Sequence, residues 1–216
     1  MRALLPLLAG GVLASAACSA THVVRPLPRG ASQVSFSFGG PLLPEKVVTK
    51  VVPYATVGWQ RGVTDALTVG GALHATMAAF GVAGGELSAT HRLLGDRDDA
   101  LALAGTAHGY LFTGEGGTRV YPGASLVGSW RPGTGTLLYG GGTAVGQFDG
   151  TPSAVLNPLL GAQRSLGRRL AVQAEFKWMG ANADTRAGVF EGESSLGGRG
   201  AMAGQLGAVL HRGGIR

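Results

Sequence analysis

Polar side chains, several of them charged, recur at every second position in two stretches of the sequence. Glu86 and Arg92 belong to the first stretch, and Gln173, Glu175 and Lys177 belong to the second. Residues two apart in a β-strand point to the same face, so each set would share one face of a strand. Such a face could act as a catalytic network on lipid or peptide. It could equally be filler inside a narrow closed sheet, and we favour filler because no Ser/His/Asp order is legible.

The sequence offers little to hold a metal or a cofactor. None of the five histidines lies at metal-motif spacing from another, and a single cysteine gives no cysteine-based metal site. Asp96, Asp98 and Asp99 resemble the start of a calcium loop, but no glutamate follows at the position that an EF-hand requires. We therefore predict no metal and no cofactor and name no catalytic residue. This favours a protein that is not an enzyme, but an enzymatic function stays open.

Strand-like alternation runs through most of the chain and gives these side chains a framework. In Leu170–Trp178 the even positions are all apolar, and the odd positions are Ala, Gln, Glu and Lys. That period of two predicts a strand with one apolar and one polar face. Leu67–Met77 shows the same pattern on odd positions. Eight further stretches alternate more weakly, and most have the length that a tilted strand needs to cross hydrocarbon: Ser32–Phe38, Val51–Trp59, Val82–His91, Leu101–Phe112, Val120–Trp130, Leu137–Phe148, Ala154–Leu166 and Met202–Leu210.

The composition is rich in glycine and poor in charge. Glycine accounts for 39 of 216 residues, charged residues for 14% and hydrophobic residues for 45%. The apolar fraction excludes a disordered chain, and the lack of a three-residue glycine period excludes collagen. A net charge of +6 favours anionic partners such as lipid headgroups. Because the charges are dispersed and aromatic residues make up only 6%, we predict no nucleic-acid partner.

The links between the predicted strands and the positions of the aromatic residues both suggest a bilayer. Short turns follow the even-numbered strands, whereas the first and ninth links, roughly 39–50 and 180–200, are long. Trp59, Trp130 and Trp178 lie at strand ends on the apolar face, and tyrosines at 54, 121 and 139 lie near other strand starts. Aromatic girdles of this kind flank the apolar band of membrane barrels.

From the third predicted strand onward the chain resembles small bacterial outer-membrane β-barrels. Residues 54–65 look like a barrel hairpin, in which a strand is followed by Gly-x-Thr-Asp before the next strand. The resemblance implies an all-β fold, an antiparallel up-and-down β-barrel of about ten strands, with eight possible, over residues 32–212. It also implies an outer-membrane location. We expect a lumen filled by side chains, which excludes a general pore, and a structural or surface-interaction role with a ligand at residues 180–200.

The start of the chain has the pattern of an export signal. Arg2 is followed by uncharged, mostly apolar residues up to position 17, as in a secretory signal peptide. Ser15-Ala16-Ala17-Cys18 resembles the lipobox of bacterial lipoproteins. That resemblance implies cleavage after residue 17, a diacylglycerol on Cys18 and a lipid-anchored linker over residues 18–31. Ordinary cleavage at the Ala-x-Ala site of residues 14–16 is the alternative, and it would leave Cys18 as a free thiol.

Two other functions stay open on the sequence. One is a soluble, lipid-tethered, lipocalin-like barrel that binds a small apolar ligand in the periplasm. The other is a surface barrel enzyme that acts on lipid or peptide. A need for detergent would distinguish the membrane barrel from the soluble one, and loss of activity on substitution of His74 or His108 would favour the enzyme.

Overall fold

The alternating stretches form ten strands in the computed structural model. The structure describes residues 21–41, 54–79, 81–96, 100–115, 117–148, 153–184 and 199–212. The predicted signal peptide, Cys18 and residues 185–198 of the ninth link lie outside the described residues. The strands are β1 (Ser32–Pro41), β2 (Tyr54–Gly62), β3 (Leu67–His74), β4 (Ala83–Leu94), β5 (Leu101–Gly114), β6 (Gly117–Gly133), β7 (Thr136–Gln147), β8 (Ser153–Ser165), β9 (Leu170–Asp184) and β10 (Arg199–Arg212).

The ten strands close into a single antiparallel barrel. Each strand pairs with its neighbours in sequence, and β1 pairs with β10 from Ser32 opposite Arg212 to Pro41 opposite Ala203. Closure gives each of the ten strands a partner on both sides, so the sheet has no edge strand. The predicted fold class, an up-and-down β-barrel of about ten strands, is therefore confirmed, and the eight-strand alternative is wrong.

The two faces of the wall have opposite polarity, and the polar face points inward. Buried side chains on the inner face include Gln60, Thr90 and Asn157, whereas Leu87 and Leu160 on the outer face are more than 60% exposed. A soluble barrel shows the reverse, because water favours polar groups outside and apolar groups inside. The alternation read from the sequence therefore sets which residues face the lumen.

The links divide the barrel into two different ends. The short-turn end carries the links 63–66, 95–100, 134–135 and 166–169, together with the start of β1 and the end of β10. The long-link end carries the links 42–53, 75–82, 115–116, 148–152 and 185–198. The first and ninth links are the longest, as the sequence predicted.

One predicted strand ends earlier than expected. Alternation runs to Met77, but β3 stops at His74 and a short helix, α1 (Ala75–Ala78), follows. The β2–β3 ladder ends with His74 opposite Thr56, and beyond it the N–H of Ala55 donates to Thr76 Oγ1 at 2.8 Å. Within the described ranges, no helix is long and apolar enough to cross a membrane.

The chain before β1 lies inside the barrel. Residues 21–31, named here the lumenal segment, follow the inner wall toward the short-turn end. The N–H of Leu27 donates to Thr68 Oγ1 at 2.7 Å, and the N–H of Arg29 donates to Asp65 Oδ1 in the β2–β3 turn at 3.0 Å. The segment then reverses direction and enters β1.

This location adds a structural detail to the predicted linker at residues 18–31. Its described part, residues 21–31, is not an exposed tether, because Thr21, Val24 and Leu27 are at least 93% buried. Val24 packs against inward side chains of β6, β7 and β8. The segment shows no alternation, so nothing in the sequence separates a tether outside the barrel from a strap inside it.

Two glycines of the wall make room for the lumenal segment. A Cβ atom on Gly207 would lie 2.8 Å from Thr21 Cγ2, and a Cβ atom on Gly62 would lie 2.1 Å from the carbonyl oxygen of Pro28. Both distances are too short for nonbonded contact, so only a residue without a side chain fits at these places. The glycine content of the chain thus contributes directly to the filling of the lumen.

Candidate functional site

The polar face of β9 supplies the charged centre of the lumen. Gln173, Glu175 and Lys177 are each at least 96% buried, while Val172 and Phe176, on the alternate positions, are exposed on the outer face. These three inward side chains are candidates from the sequence analysis, and they lie at mid-depth in the barrel.

Glu175 is the most contacted member of this group. Its Oε1 lies 2.8 Å from Lys177 Nζ and 3.1 Å from His22 Nδ1, and its Oε2 accepts a hydrogen bond from the Tyr139 hydroxyl at 3.0 Å. Gln173 Nε2 donates to the Tyr139 hydroxyl at 2.7 Å and to the carbonyl of His22 at 3.2 Å. A buried carboxylate is tolerated only when it is paired and hydrogen-bonded, and this one is both. These five residues are named the ion-pair network.

The network continues along the inner wall toward the first strands. Lys177 Nζ donates to Gln205 Oε1 at 3.2 Å, and Gln205 Nε2 donates to Ser37 Oγ at 2.7 Å. Ser37 in turn shares a hydrogen bond with Thr56 of β2. Side chains of four neighbouring strands are thereby joined into one chain of hydrogen bonds along the inner wall.

The structure does not bring Arg92 to this network. Instead, its Nη1 lies 3.2 Å from Asp96 Oδ1 near the short-turn end. Arg92 lies six positions from Glu86 on β4, which is about 20 Å along a strand. Glu86 lines a small cavity with Thr90 and His108 at mid-depth.

A hydroxyl, an imidazole and a carboxylate meet in the order that hydrolases use. His22 Nε2 lies 3.2 Å from Thr143 Oγ1 and 3.4 Å from Ser125 Oγ, while His22 Nδ1 faces Glu175. A serine hydrolase needs this chain together with space for a substrate at the hydroxyl. The two cavities that border His22 are lined by neither Ser125 nor Thr143. The arrangement therefore anchors the lumenal segment without offering those hydroxyls to a substrate.

The three tryptophans lie at both ends of the outer wall. Trp59 and Trp130 are each 49% exposed near the short-turn end. Trp178 is half-buried toward the long-link end, where its Nε1 donates to the carbonyl of Arg199 at 3.0 Å.

The tyrosines do not join them on the outer face. Tyr54, Tyr121 and Tyr139 are at least 94% buried and point into the lumen. A position near a strand start does not by itself place a tyrosine on the outer face. Tyr139 and the inward residue Thr143 are four positions apart on β7, and residues an even number of positions apart in a strand share one face.

An apolar cluster closes the lumen at the long-link end. Tyr110, Phe112, Tyr121 and Val145 are buried together, and Met77 of α1 packs against them. We name this group the outer cluster. His74 adds an edge-on contact to Phe112 with ring centroids 5.2 Å apart. The early end of β3 thus places Met77 over the lumen.

A cavity of about 620 Å³ remains at the short-turn end. It is bounded by the lumenal segment and by the β6–β7 and β8–β9 turns. Arg25, Arg131, Arg168 and Arg212 are among the residues that line it. Arg25 is held in place by a hydrogen bond from its Nε to Ser129 Oγ at 3.0 Å. We name this space the short-turn cavity.

Two important residues had no usable signal in the sequence. His22 stands in a stretch without alternation, so its contacts with Glu175 and Thr143 follow only from the closed barrel. Gln205 lies in the weakly alternating last strand, where its inward direction becomes clear only from pairing with Glu175. Within the described residues no group of three or more His, Cys, Asp or Glu side chains is placed to hold a metal.

Comparison with known proteins gives fold-level similarities. No family model matches the chain, and no curated protein sequence matches it. The outer membrane protein Ail of Yersinia pestis in a phospholipid bilayer nanodisc is similar at 12% identity and a TM-score of 0.40, over 85% of this chain and 100% of that chain. The N-terminal β-barrel domain of Pseudomonas aeruginosa OprF is similar at 8% identity and a TM-score of 0.36, over 86% and 100%. The translocator domain of the autotransporter NalP from Neisseria meningitidis is similar at 12% identity and a TM-score of 0.36, over 94% and 95%.

Proposed function

We propose that this protein is an outer-membrane β-barrel with a structural or surface-interaction role and a closed lumen. The observation that carries the proposal is the polarity of the wall. The inner face is polar, and the outer face exposes large apolar side chains around the whole circumference, from Phe36 on β1 to Leu210 on β10. Soluble monomers rarely expose a contiguous apolar surface larger than a few hundred Å², whereas lipid tails solvate such a surface well.

The same polarity argues against the soluble, lipocalin-like alternative. A carrier of small apolar ligands needs an apolar cavity inside and a polar wall outside. Here the middle of the lumen is occupied by the ion-pair network and the lumenal segment, and the apolar side chains at the long-link end are packed on one another. The decisive measurement is partition in a two-phase detergent system. Recovery of the folded protein in the aqueous phase would overturn the membrane location.

The filled lumen supports a barrel that is not a diffusion pore. A solute crossing the barrel would have to displace the outer cluster at the long-link end, and then the lumenal segment with the ion-pair network that holds it. In planar bilayers we expect the purified full-length protein to show no large and stable open conductance. A steady conductance of that kind would refute the closed lumen while leaving the membrane location intact.

The orientation follows from the links. Membrane barrels of the outer-membrane type have short periplasmic turns and longer external loops, so residues 180–200 would reach the cell surface and could bind a ligand there. An epitope inserted after Gly188 should be detected by antibody on intact cells. An epitope inserted after Gly133, in the β6–β7 turn, should be detected only after permeabilisation. The reverse pattern would invert the proposed orientation.

A lipid anchor on Cys18 is the finer part of the proposal, and the lumen sets a condition on it. Thr21 lies against Gly207. Gly207 is five residues, or about 16 Å, from the end of β10 at the short-turn end. Cys18 is three residues before Thr21, and three residues span at most about 11 Å. Acyl chains on Cys18 could therefore enter the bilayer only if part of the lumenal segment leaves the barrel.

The anchor is tested by replacing Cys18 with serine. We expect Cys18→Ser to abolish labelling with a fatty-acid analogue and to leave uncleaved precursor, because the cysteine sulfur is the proposed attachment point of the lipid. The diacylglycerol supplies two acyl chains, and a stable anchor needs more than one. Normal processing of Cys18→Ser would indicate ordinary signal-peptide cleavage instead. In that case the seated lumenal segment needs no rearrangement.

A further inference from the structure

Basic side chains converge on the short-turn cavity from separate parts of the chain. Arg131, Arg168 and Arg212 belong to the end of β6, the β8–β9 turn and the end of β10, and Arg25 belongs to the lumenal segment. His211 adds a further basic side chain. The described residues that line this space include no aspartate and no glutamate. Such a wall has an electrostatic preference for anions.

The described carboxylates near this end are engaged elsewhere. Asp65 Oδ1 accepts the hydrogen bond from the N–H of Arg29, and Asp96 Oδ1 pairs with Arg92 Nη1 at 3.2 Å. Arg168 and Arg212 form no ion pair with any carboxylate in the part of the chain that the structure describes. Their positive charge is therefore not neutralised by those residues.

The placement of arginine along the barrel is strongly asymmetric. Among the described residues, only Arg119 and Arg199 lie at the long-link end, whereas nine arginines lie at or beside the short-turn end: Arg25, Arg29, Arg61, Arg92, Arg131, Arg164, Arg168, Arg169 and Arg212. Charge spread for solubility alone would favour neither end. The concentration at one mouth therefore points to a partner at that mouth.

The size and the donors of the cavity suit a phosphate-bearing group. Its volume of about 620 Å³ falls within the range of small-molecule sites, about 300–1,000 Å³. A guanidinium presents paired N–H donors that match phosphate oxygens, and several guanidinium groups can engage one phosphate. The hydroxyl groups of Thr134 and Ser165, also in the lining, supply neutral donors.

We propose that the short-turn cavity is a binding site for a phosphate-bearing ligand. The phosphate could belong to a lipid headgroup of the adjacent leaflet or to a soluble phosphate ester. Because Arg25 is part of the lumenal segment, the ligand would also stabilise that segment in its seat, as any ligand stabilises the state that binds it. The proposal depends on neither the membrane location nor the closed lumen.

The test uses the purified full-length protein in micelles of an uncharged detergent. Pyrophosphate is titrated in a calorimeter, and in a second arm phosphatidylglycerol or phosphatidylcholine is added to the micelles. We expect saturable binding that weakens as salt rises. The double variant R168Q/R212Q should raise the dissociation constant at least about tenfold, because each lost charged hydrogen bond is worth that much.

The matched control is R119Q/R199Q, which removes the same charge from the opposite end and should bind as the unaltered protein does. Binding of pyrophosphate together with competition by phosphatidylglycerol supports a general phosphate site. Binding of phosphatidylglycerol alone assigns the lipid headgroup, and binding of pyrophosphate alone assigns a soluble ester. The proposal is overturned if neither probe binds, or if the control variant loses as much affinity as R168Q/R212Q.

Discussion

Nδ1 of His22 lies 3.1 Å from Oε1 of Glu175, although the two residues are 153 positions apart in the sequence. The same carboxylate contacts Lys177 and Tyr139. One buried side chain of β9 therefore joins the lumenal segment, the barrel wall and a buried ammonium group. Loss of this carboxylate should therefore weaken the contacts of the lumenal segment, of the barrel wall and of the buried ammonium group.

Glu175→Gln should lower the free energy of unfolding by about 3–5 kcal/mol, because it leaves the ammonium of Lys177 buried without its carboxylate. The measurement is a urea titration of the protein in detergent micelles. Glu115→Gln, at an exposed carboxylate in the β5–β6 link, is the control and should change stability by less than about 0.5 kcal/mol. The double variant Glu175→Gln/Lys177→Met should recover most of the loss. If Glu175→Gln and Glu115→Gln are equally stable, Glu175 does not form a structural ion pair.

Phe176→Arg should impair assembly into bilayers. Its side chain is 43% exposed on the outer wall near the middle of β9, and an arginine in the middle of the hydrocarbon costs about 2–4 kcal/mol. Val63→Arg, in the β2–β3 turn and 45% exposed, is the matched control. Folded yield after refolding into phospholipid vesicles is the readout. If both variants assemble equally well, the outer wall does not contact lipid.

His22→Ala should loosen the lumenal segment, because it removes the contacts with Glu175 and Thr143. The reporter is a cysteine at Val24, which is 97% buried, in a Cys18→Ser background. Its rate of reaction with a water-soluble maleimide should rise about tenfold when His22 is replaced, as expected for loss of one charged hydrogen bond. A cysteine at the exposed Arg29 should react quickly in both backgrounds. An unchanged rate at position 24 would show that other contacts seat the segment.

Gly161→Ala should destabilise the barrel by about 1–3 kcal/mol, the usual cost of overpacking. A Cβ atom at this position would lie 2.2 Å from Cζ of Tyr139, the residue that donates to Glu175. Gly109→Ala is the control, since no heavy atom lies within 4 Å of its added Cβ. Thermal unfolding of the two variants distinguishes them. A matching loss at Gly109 would attribute the effect to strand glycines in general.

Strand number, strand faces and the two kinds of link could be read from the sequence because they are local properties. The period of two in Leu170–Trp178 sets the direction of Glu175 whatever the rest of the chain does, and link length sets which end is which. The direction of Tyr139 was missed, because an aromatic ring near a strand end suits both a lipid interface and a packed lumen.

The sequence alone therefore determined a barrel with an apolar wall and charged groups inside it, since alternation needs only neighbouring residues. The tertiary structure alone decided what those charged groups meet. His22 precedes the first strand and carries no periodic signal, and its partners Glu175 and Thr143 stand on β9 and β7. Arg25, Arg131, Arg168 and Arg212 likewise converge only because closure of the barrel brings distant turns to one mouth. Contacts between residues this far apart depend on the closed geometry, which no local pattern encodes.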